Sequence, residues 1–570
     1  MIMRNLFKNE DGYVLVTVLI MFVIFSILGL SLMSYTIGSQ RFSSANTDFI
    51  ETKADAEMIV QEAQAHIMKG VDEINDDLSE ATPGLGGVIS KINRVIHQAE
   101  QELGEDGFIK KKILKDGENG VFLQRIDIEV DVEGSNKTLV RTFTISTIAD
   151  VFRYGAVTPG DMKLNGAPFI KGDVFVGNDL RLHDEANFIA NAYSLWAETS
   201  YPSIQGDLAV KGQYEIPGWL WDWEISEEEL DAYFEMKPRI VDENPDVAPL
   251  KVLEYINQKK NDPMSKINAR GYPGNIEEIE GYQVIKKGYE RQGKSPKAPD
   301  RFYGDTYIRG DLKLTGSTLK VDGNLIVDGN ITIEPDGNDE SSLTVDGSIY
   351  VHENATLTGT ILLPEGKFMY INGYPTNENC NGNNSKNNKC GIDISNLTFQ
   401  GSLYTNHEID IREDLNMNGT LYTRLGGRIE NLSNESGGTL VVVSEGELRI
   451  ANNNLYNNEP KTINAFFYTN SHLDIYGVGS NLKILGGVYG RNVTLNAVKG
   501  SSSNNYFPGS TNFSTNRDPL YVQNNQDSIN PQLSRLTIEY AQGLILNPPD
   551  GIPTVEKVTV KEIDQHFYSQ

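Results

Sequence analysis

The sequence predicts a mixed fold: an N-terminal transmembrane helix, a small α/β module, and then a mainly-β parallel β-helix. Three observations carry this reading. Tyr13 to Met33 is apolar and uncharged throughout. Beyond it, apolar residues at helical spacing give way to alternating strand patterns. From Tyr154 onward, short strands that begin after a glycine recur at intervals of 18–19 residues.

The apolar run comes first. At ~1.5 Å per residue it covers roughly 30 Å, enough to cross the hydrocarbon core of a bilayer. It is longer than the apolar part of an ordinary cleaved signal peptide, and no A-x-A-like site follows. A buried helix of a soluble domain seldom lacks every charge over such a length. Arg4 and Lys8 precede the run and Arg41 is the first charge after it. By the positive-inside rule this single-pass chain has a cytoplasmic N-terminus and its bulk outside the cell membrane.

The totals fit that placement. A length of 570 residues allows three or four domains. A net charge of −28 leaves no basic surface for phosphates and excludes nucleic acid as a partner. The 53 glycines favour turn-dense β structure over a helical bundle. Cys380 and Cys390 bracket a polar loop, and outside the cell they are expected to form a local disulfide. Two unrelated free thiols are the alternative.

Past the membrane the helix is expected to continue, because Ala56, Ile59, Val60, Ala63 and Ile67 fall on one face. Gly70 is the expected stop, giving a helix over 13–70 that packs mainly on its own globular module. The breaker cluster Thr82–Gly87 introduces a second amphipathic helix with Ile89, Ile92, Ile96, Ala99 and Leu103 on one side. Ile126, Ile128, Val130 and Val132 then alternate with acidic residues, and Thr138 to Ile148 returns after a turn. Two strands with one polar face need helices on the other, so 71–153 reads as a small helix-on-sheet module.

Repeats dominate the remainder. Gly304 to Gly323 and Gly310 to Gly329 are each 19 residues apart, and Gly401 to Gly419 is 18. Each coil of a parallel β-helix must bring a strand back onto its predecessor, and a near-constant period does this. Antiparallel hairpins, the alternative, would repeat at about 8–12 residues. The β-helix is assigned to 154–503. An insertion at about 217–300 carries Trp219, Trp221 and Trp223 on alternate positions, followed by the capping box Ser226 to Glu229 with Ile225 and Leu230 as its staple. Alternating tryptophans seat such an insertion on its host by core packing; a platform for surface glycans is the other use. Residues 504–570, with strand candidates at Leu536–Ile538 and Val555–Ile563, read as a C-terminal cap over the last coil.

The head ties the chain to a family. Arg4 and Lys8, then Gly12-Tyr13-Val14-Leu15-Val16 and an uninterrupted apolar helix, resemble the class III leader of type IV pilins and pseudopilins, and most of all the large PilX-type minor pilins. The resemblance implies a leader over 1–12, cut by a prepilin peptidase after Gly12 so that Tyr13 becomes the N-terminus. It also implies a right-handed β-helix, and as partners membrane lipid, other pilin-like subunits and the pilus assembly machinery. Thr17 stands where major pilins carry a glutamate used in filament assembly, as in some priming-type subunits, and Glu10-Asp11 replace the usual basic residue. An uncleaved membrane anchor is the alternative at this point. The repeats are more loosely similar to bactofilins.

Catalytic patterns are absent. There is no G-x-S-x-G, H-E-x-x-H or P-loop, and the seven histidines lack ligand spacing. Asn377-x-Asn379-x-Asn381-Gly382 opens like a calcium loop, but Asn388 stands where glutamate is needed. Asp173, Asp207, Asp305 and Asp311, each after a glycine, are expected to be corner residues that accept backbone N–H bonds. No cofactor or metal is expected. The sequence is therefore read as a non-enzymatic minor subunit of a type IV pilus or pseudopilus, serving assembly, adhesion or as a spacer. A membrane-anchored polysaccharide lyase or hydrolase, or a bactofilin-like polymer, is the alternative.

Overall fold

The computed structural model describes residues 10–569 apart from 81–84, 104–106, 117–120, 133–136, 191–192, 219–220, 244, 246, 261–282, 286, 294–299, 374–390, 435–437, 503–520 and 523–529. It divides into two compact units: 1–115 with 123–146 and 557–570, and 116–122 with 147–556.

In the first unit, α1 runs without a break over Glu10–Glu80. Gly70 does not stop it. A Cβ on Gly70 would collide with the methyls of Val95, so this glycine lets α1 approach α2 (Leu85–Leu103) closely. The buried stripe is Ala56, Val60, Ala63, Ile67, Val71 and Ile74 on α1, facing Val88, Ile92, Ile96, Ala99 and Leu103 on α2. The strands β1 (Gly107–Asp116), β2 (Phe122–Val132) and β3 (Lys137–Ile148) form a sheet whose fourth member, beside β3, is Thr554–Ser569. β2 and β3 pair antiparallel, with Val130 opposite Leu139 and Ile126 opposite Phe143, as the alternation predicts.

The second unit is a stack of coils joined by parallel ladders. Along one ladder Thr306, Leu325, Ile349, Met369, Leu403, Leu421, Val442, Phe467 and Val488 follow one another in register. A second ladder stacks Leu312, Ile331, Ala355, Ile392, Ile409, Gly427, Leu448, Leu473 and Val493. Their aliphatic side chains merge into one core, because alternate residues of every short strand point inward.

The order of coils in space is not the order in the chain. After Leu482–Ala497, the next coil combines Ala156–Thr158 and Met162–Gly166 with Leu536–Tyr540. On that composite coil sit Phe169–His183 and then Ser203–Ile216. Arg239–Ile240 pairs beyond them, and the contiguous run starts with Gln283–Ile285. Arg535 locks the composite coil. Its buried guanidinium donates to the carbonyls of Ser480 (3.0 Å), Gly479 (3.1 Å) and Gly500 (3.4 Å), and desolvation pulls its pKa down to about 10.

Residues 504–570 are thus not a cap over a last coil. Leu536–Tyr540 fills a gap within the stack, and Thr554–Ser569 leaves for the sheet of the other unit. The insertion is also shorter than 217–300, since Arg239–Ile240, Gln283–Ile285, Tyr289–Gln292 and Asp300–Phe302 pair within the parallel ladders, and Trp223–Ile225 pairs antiparallel with Tyr214–Ile216. What crosses outside is the segment carrying α3 (Val252–Lys260). It lies on an outward row of aromatic rings. Tyr404 stacks on Tyr422 at 4.6 Å and Tyr468 on Tyr489 at 4.2 Å. The Leu250 N–H donates to the Tyr468 hydroxyl at 2.6 Å, and the Tyr422 hydroxyl donates to Gly551 O at 2.7 Å. Burial drives these phenols far above their ordinary pKa, so they act as neutral donors and acceptors.

Candidate functional site

The first candidate is the exposed half of α1. Leu15–Ser44 spans 30 residues, and none of its apolar window is buried in the protein. Residues such as Leu15, Phe22, Phe25, Leu30 and Tyr35 project outward around its whole circumference. In water such a surface would be costly; in lipid it is the solvated state. Two of the polar side chains within it are satisfied along the helix. Ser26 donates to Phe22 O and Thr36 to Leu32 O, each at 2.8 Å. One N-terminal helix is therefore long and apolar enough to cross a membrane. Gly12 and Tyr13 fall within α1, near its start.

The corners of the coils are a second candidate, because they gather acidic residues. Asp305 Oδ1 accepts the Asn324 N–H at 2.6 Å, Asp311 Oδ1 that of Asn330 at 2.8 Å, and Asp173 Oδ1 that of Asp207 at 3.1 Å. Each acceptor sits one coil before its donor, so the bond is a rung between coils and not a local turn. Asp207 instead takes the Arg239 guanidinium at 2.7 Å. These carboxylates are occupied in holding the stack together.

The second ladder presents a charged outward row that includes Asp393, Asp410, Arg428, Arg449, Asp474, Thr494, Lys163, Arg181 and Glu215. Asp393 and Asp410 are coil neighbours, the arrangement that acid/base work on a glycan would require. Arg412 lies between them, hydrogen-bonded to Asp410 and 3.8 Å from Asp393, and the bond to Asp410 raises its own pKa. Further along, His472 Nε2 lies 2.9 Å from Asp474 Oδ1 and 3.1 Å from Thr494 Oγ1. The hydrogen bond to Asp474 raises the His472 pKa against its partial desolvation. Among the described residues, no group of His, Cys, Asp and Glu is placed to hold a metal ion.

The tryptophans make the third candidate. Trp221 and Trp223 are exposed, against the expectation that they seat the insertion by core packing. The short hairpin pairing Tyr214–Ile216 with Trp223–Ile225 buries Ile225 instead and leaves the rings outside. The capping box forms, with the Ser226 N–H donating to Glu229 Oε2 at 2.9 Å, and it opens a 3₁₀ turn over Glu227–Ala232. Trp219, Cys380 and Cys390 lie outside the described residues. Sequence reasoning missed Trp196, whose ring stacks on His183 with centroids 4.9 Å apart, and Arg181, which reaches both Glu215 and Asp222. Neither contact leaves a local pattern, because each depends on which strands lie side by side.

No family model matches the chain. No curated protein matches it either. Among solved structures, the competence-associated pilin ComZ from Thermus thermophilus is similar at 10% sequence identity and a TM-score of 0.19, over 81% of this chain and 83% of that one. A likeness at that score carries no argument about fold or function.

Proposed function

We propose that this chain is a membrane-anchored, surface-exposed subunit of the type IV pilus or pseudopilus class, of the large PilX-type, serving assembly, adhesion or spacing. The observation that carries the reading is α1 itself. Its first half is exposed and apolar, while its second half buries a stripe against α2 in a small α/β unit. A helix divided in this way can lie in lipid, or among like helices, while holding a folded body outside. The head Gly12-Tyr13-Val14-Leu15-Val16 adds the leader-like start of that family. In this reading a prepilin peptidase cuts after Gly12, and membrane lipid and other pilin-like subunits are the partners of the exposed helix.

The stacked coils are read as a right-handed parallel β-helix that serves as a non-enzymatic body. Register offsets support the helix, with Thr306 over Leu325 and Leu403 over Leu421, while the hand follows the family resemblance. The Arg412 guanidinium between Asp393 and Asp410 favours a structural over a hydrolytic role for that row. Mass spectrometry of the mature N-terminus, in cells with and without the peptidase, tests the proposal. The expected result is a Tyr13 start that depends on the enzyme. An intact Met1 in both strains overturns the pilin reading.

A further inference from the structure

A cleft of about 310 Å³ opens beside the composite coil, lined by Lys171, Asn481, Lys483 and Thr537, with the exposed Asn458 and Gln532 at its rim. Register builds its floor. Lys483 is opposite Thr537 and Lys171 is opposite Glu539, on strands whose Ile484, Ile538 and Ile170 point into the core. Asn481, two residues before Lys483, therefore faces outward with it, as Glu539 does with Thr537. These side chains meet only because Leu536–Tyr540 fills the stack between Leu482–Ala497 and Phe169–Lys171.

The lining is cationic and incompletely paired. Both ammonium groups share one oxygen: Lys483 Nζ lies 2.9 Å and Lys171 Nζ 3.3 Å from Glu539 Oε2. One carboxylate offsets one of the two charges, and each ammonium keeps further donors. Among the described residues the lining itself holds no acid. Asn481 is 4% exposed, and its amide donates to the carbonyls of Asn457 at 3.0 Å and Asn458 at 2.9 Å. That leaves Oδ1 as an acceptor, and nothing among the described residues donates to it. The Thr537 hydroxyl, on a residue 9% exposed, likewise has no partner among them. Buried polar groups are normally paired, and these two line the cleft unpaired.

We infer that this cleft binds a sugar acid, a pyranose unit that carries one carboxylate. The carboxylate meets Lys171 and Lys483 and matches the single positive charge that Glu539 leaves over. Ring hydroxyls both donate and accept, so they suit the Asn481 Oδ1, the Thr537 hydroxyl and the rim amides of Asn458 and Gln532. A plain acyl carboxylate would bury the Asn481 Oδ1 without a donor. A dianion such as phosphate exceeds the residual charge of the cleft, in a chain of net charge −28. A volume of about 310 Å³ is at the lower limit of small-molecule sites, which run roughly 300–1,000 Å³, so the cleft takes a single unit or a chain end and not a length of polymer. The inference goes beyond the pilin reading and stands whether or not Gly12 is a cleavage site.

Calorimetric titration of the full-length chain in lipid nanodiscs tests it. The probes are glucuronate, galacturonate and N-acetylneuraminate, with glucose, acetate and inorganic phosphate as controls. At least one sugar acid is expected to bind about tenfold or more tighter than every control. Lys483→Gln should lower that affinity about tenfold, and Thr537→Val should lower it by a smaller factor. Glu539→Gln, which releases both ammonium groups, should tighten binding, an effect that a merely structural carboxylate would not produce. If Lys483→Gln misfolds, Glu539→Gln and Thr537→Val carry the test. Absence of binding by all three sugar acids, equal affinity for glucose or acetate, or unchanged affinity in the variants overturns the inference. So does preference for phosphate, which would make the cleft a site for an adventitious ion only.

Discussion

The coils between Thr306 and Gly490 and those between Ala156 and Ile216 share the same ladders but are assembled differently. In the first set most strands pair with one about 17–25 residues away, and about 34–38 where 374–390 intervenes, so a coil closes on its immediate predecessor. In the second set, the founding coil joins Met162–Gly166 to Val493–Ala497, and its third side is Leu536–Tyr540. Such contacts close very long loops before they yield any packing. A contiguous run can grow from any internal coil, whereas the composite coil must wait for both of its distant pieces.

The strongest way to break that distinction is Ile538→Asp. Ile538 is buried between Ile484 and Ile170, and an unpaired carboxylate there should cost about 3–5 kcal/mol. Hydrogen exchange should lose protection across 156–216 and keep it across 306–475; uniform loss would make the whole stack one cooperative unit. Leu314→Ala, inside the contiguous run, should cost about 2–4 kcal/mol in urea unfolding. Its exchange effects should stay among neighbouring coils and leave 156–216 protected.

Corner rungs sharpen the comparison on a smaller scale. Asp305→Ala removes a rung spanning 19 residues, and Asp173→Ala one spanning 34. Each should lower stability by about 1 kcal/mol. Similar losses in thermal melts would show that a rung's worth is set by geometry once the coils are stacked. The smallest effect belongs to His472, whose folded pKa is raised chiefly by Asp474, with Glu447 adding to the rise and Lys163 opposing it. Its contribution is fully present below the unfolded value of about 6.5 and disappears as pH rises through the folded value. Half-exposure keeps it under about 1 kcal/mol. The melting temperature of His472→Gln should fall below the parent's at pH 5.5 and rejoin it by pH 9.

Much of the local structure was legible because it rests on short-range regularities. The α1 stripe at Ala56, Val60 and Ala63, the β2–β3 alternation, the capping box at Ser226 and the corner aspartates all follow from residue type and spacing. Gly70 was misread because a lone glycine signals a helix end as readily as a close helix contact, and only Val95 on α2 distinguishes the two. The exposed tryptophans were misread for a related reason. Trp223 and Ile225 are alternate residues of one strand, yet Ile225 is buried and Trp223 exposed, so the reach of the core along that strand decides which is covered, and alternation alone does not encode it.

The sequence by itself determined that an apolar helix opens the chain, that an amphipathic continuation carries an α/β module, and that repeats of near-constant period follow. The first is an unbroken apolar run and the others are periodic patterns, and both are written along the chain. Tertiary structure alone decided that Leu536–Tyr540 completes a coil begun at Ala156, that α3 covers the tyrosine row, and that Arg181 holds both Glu215 and Asp222. Those outcomes depend on which strand edges remain unpaired after the local coils have formed, and no spacing in the chain encodes that competition.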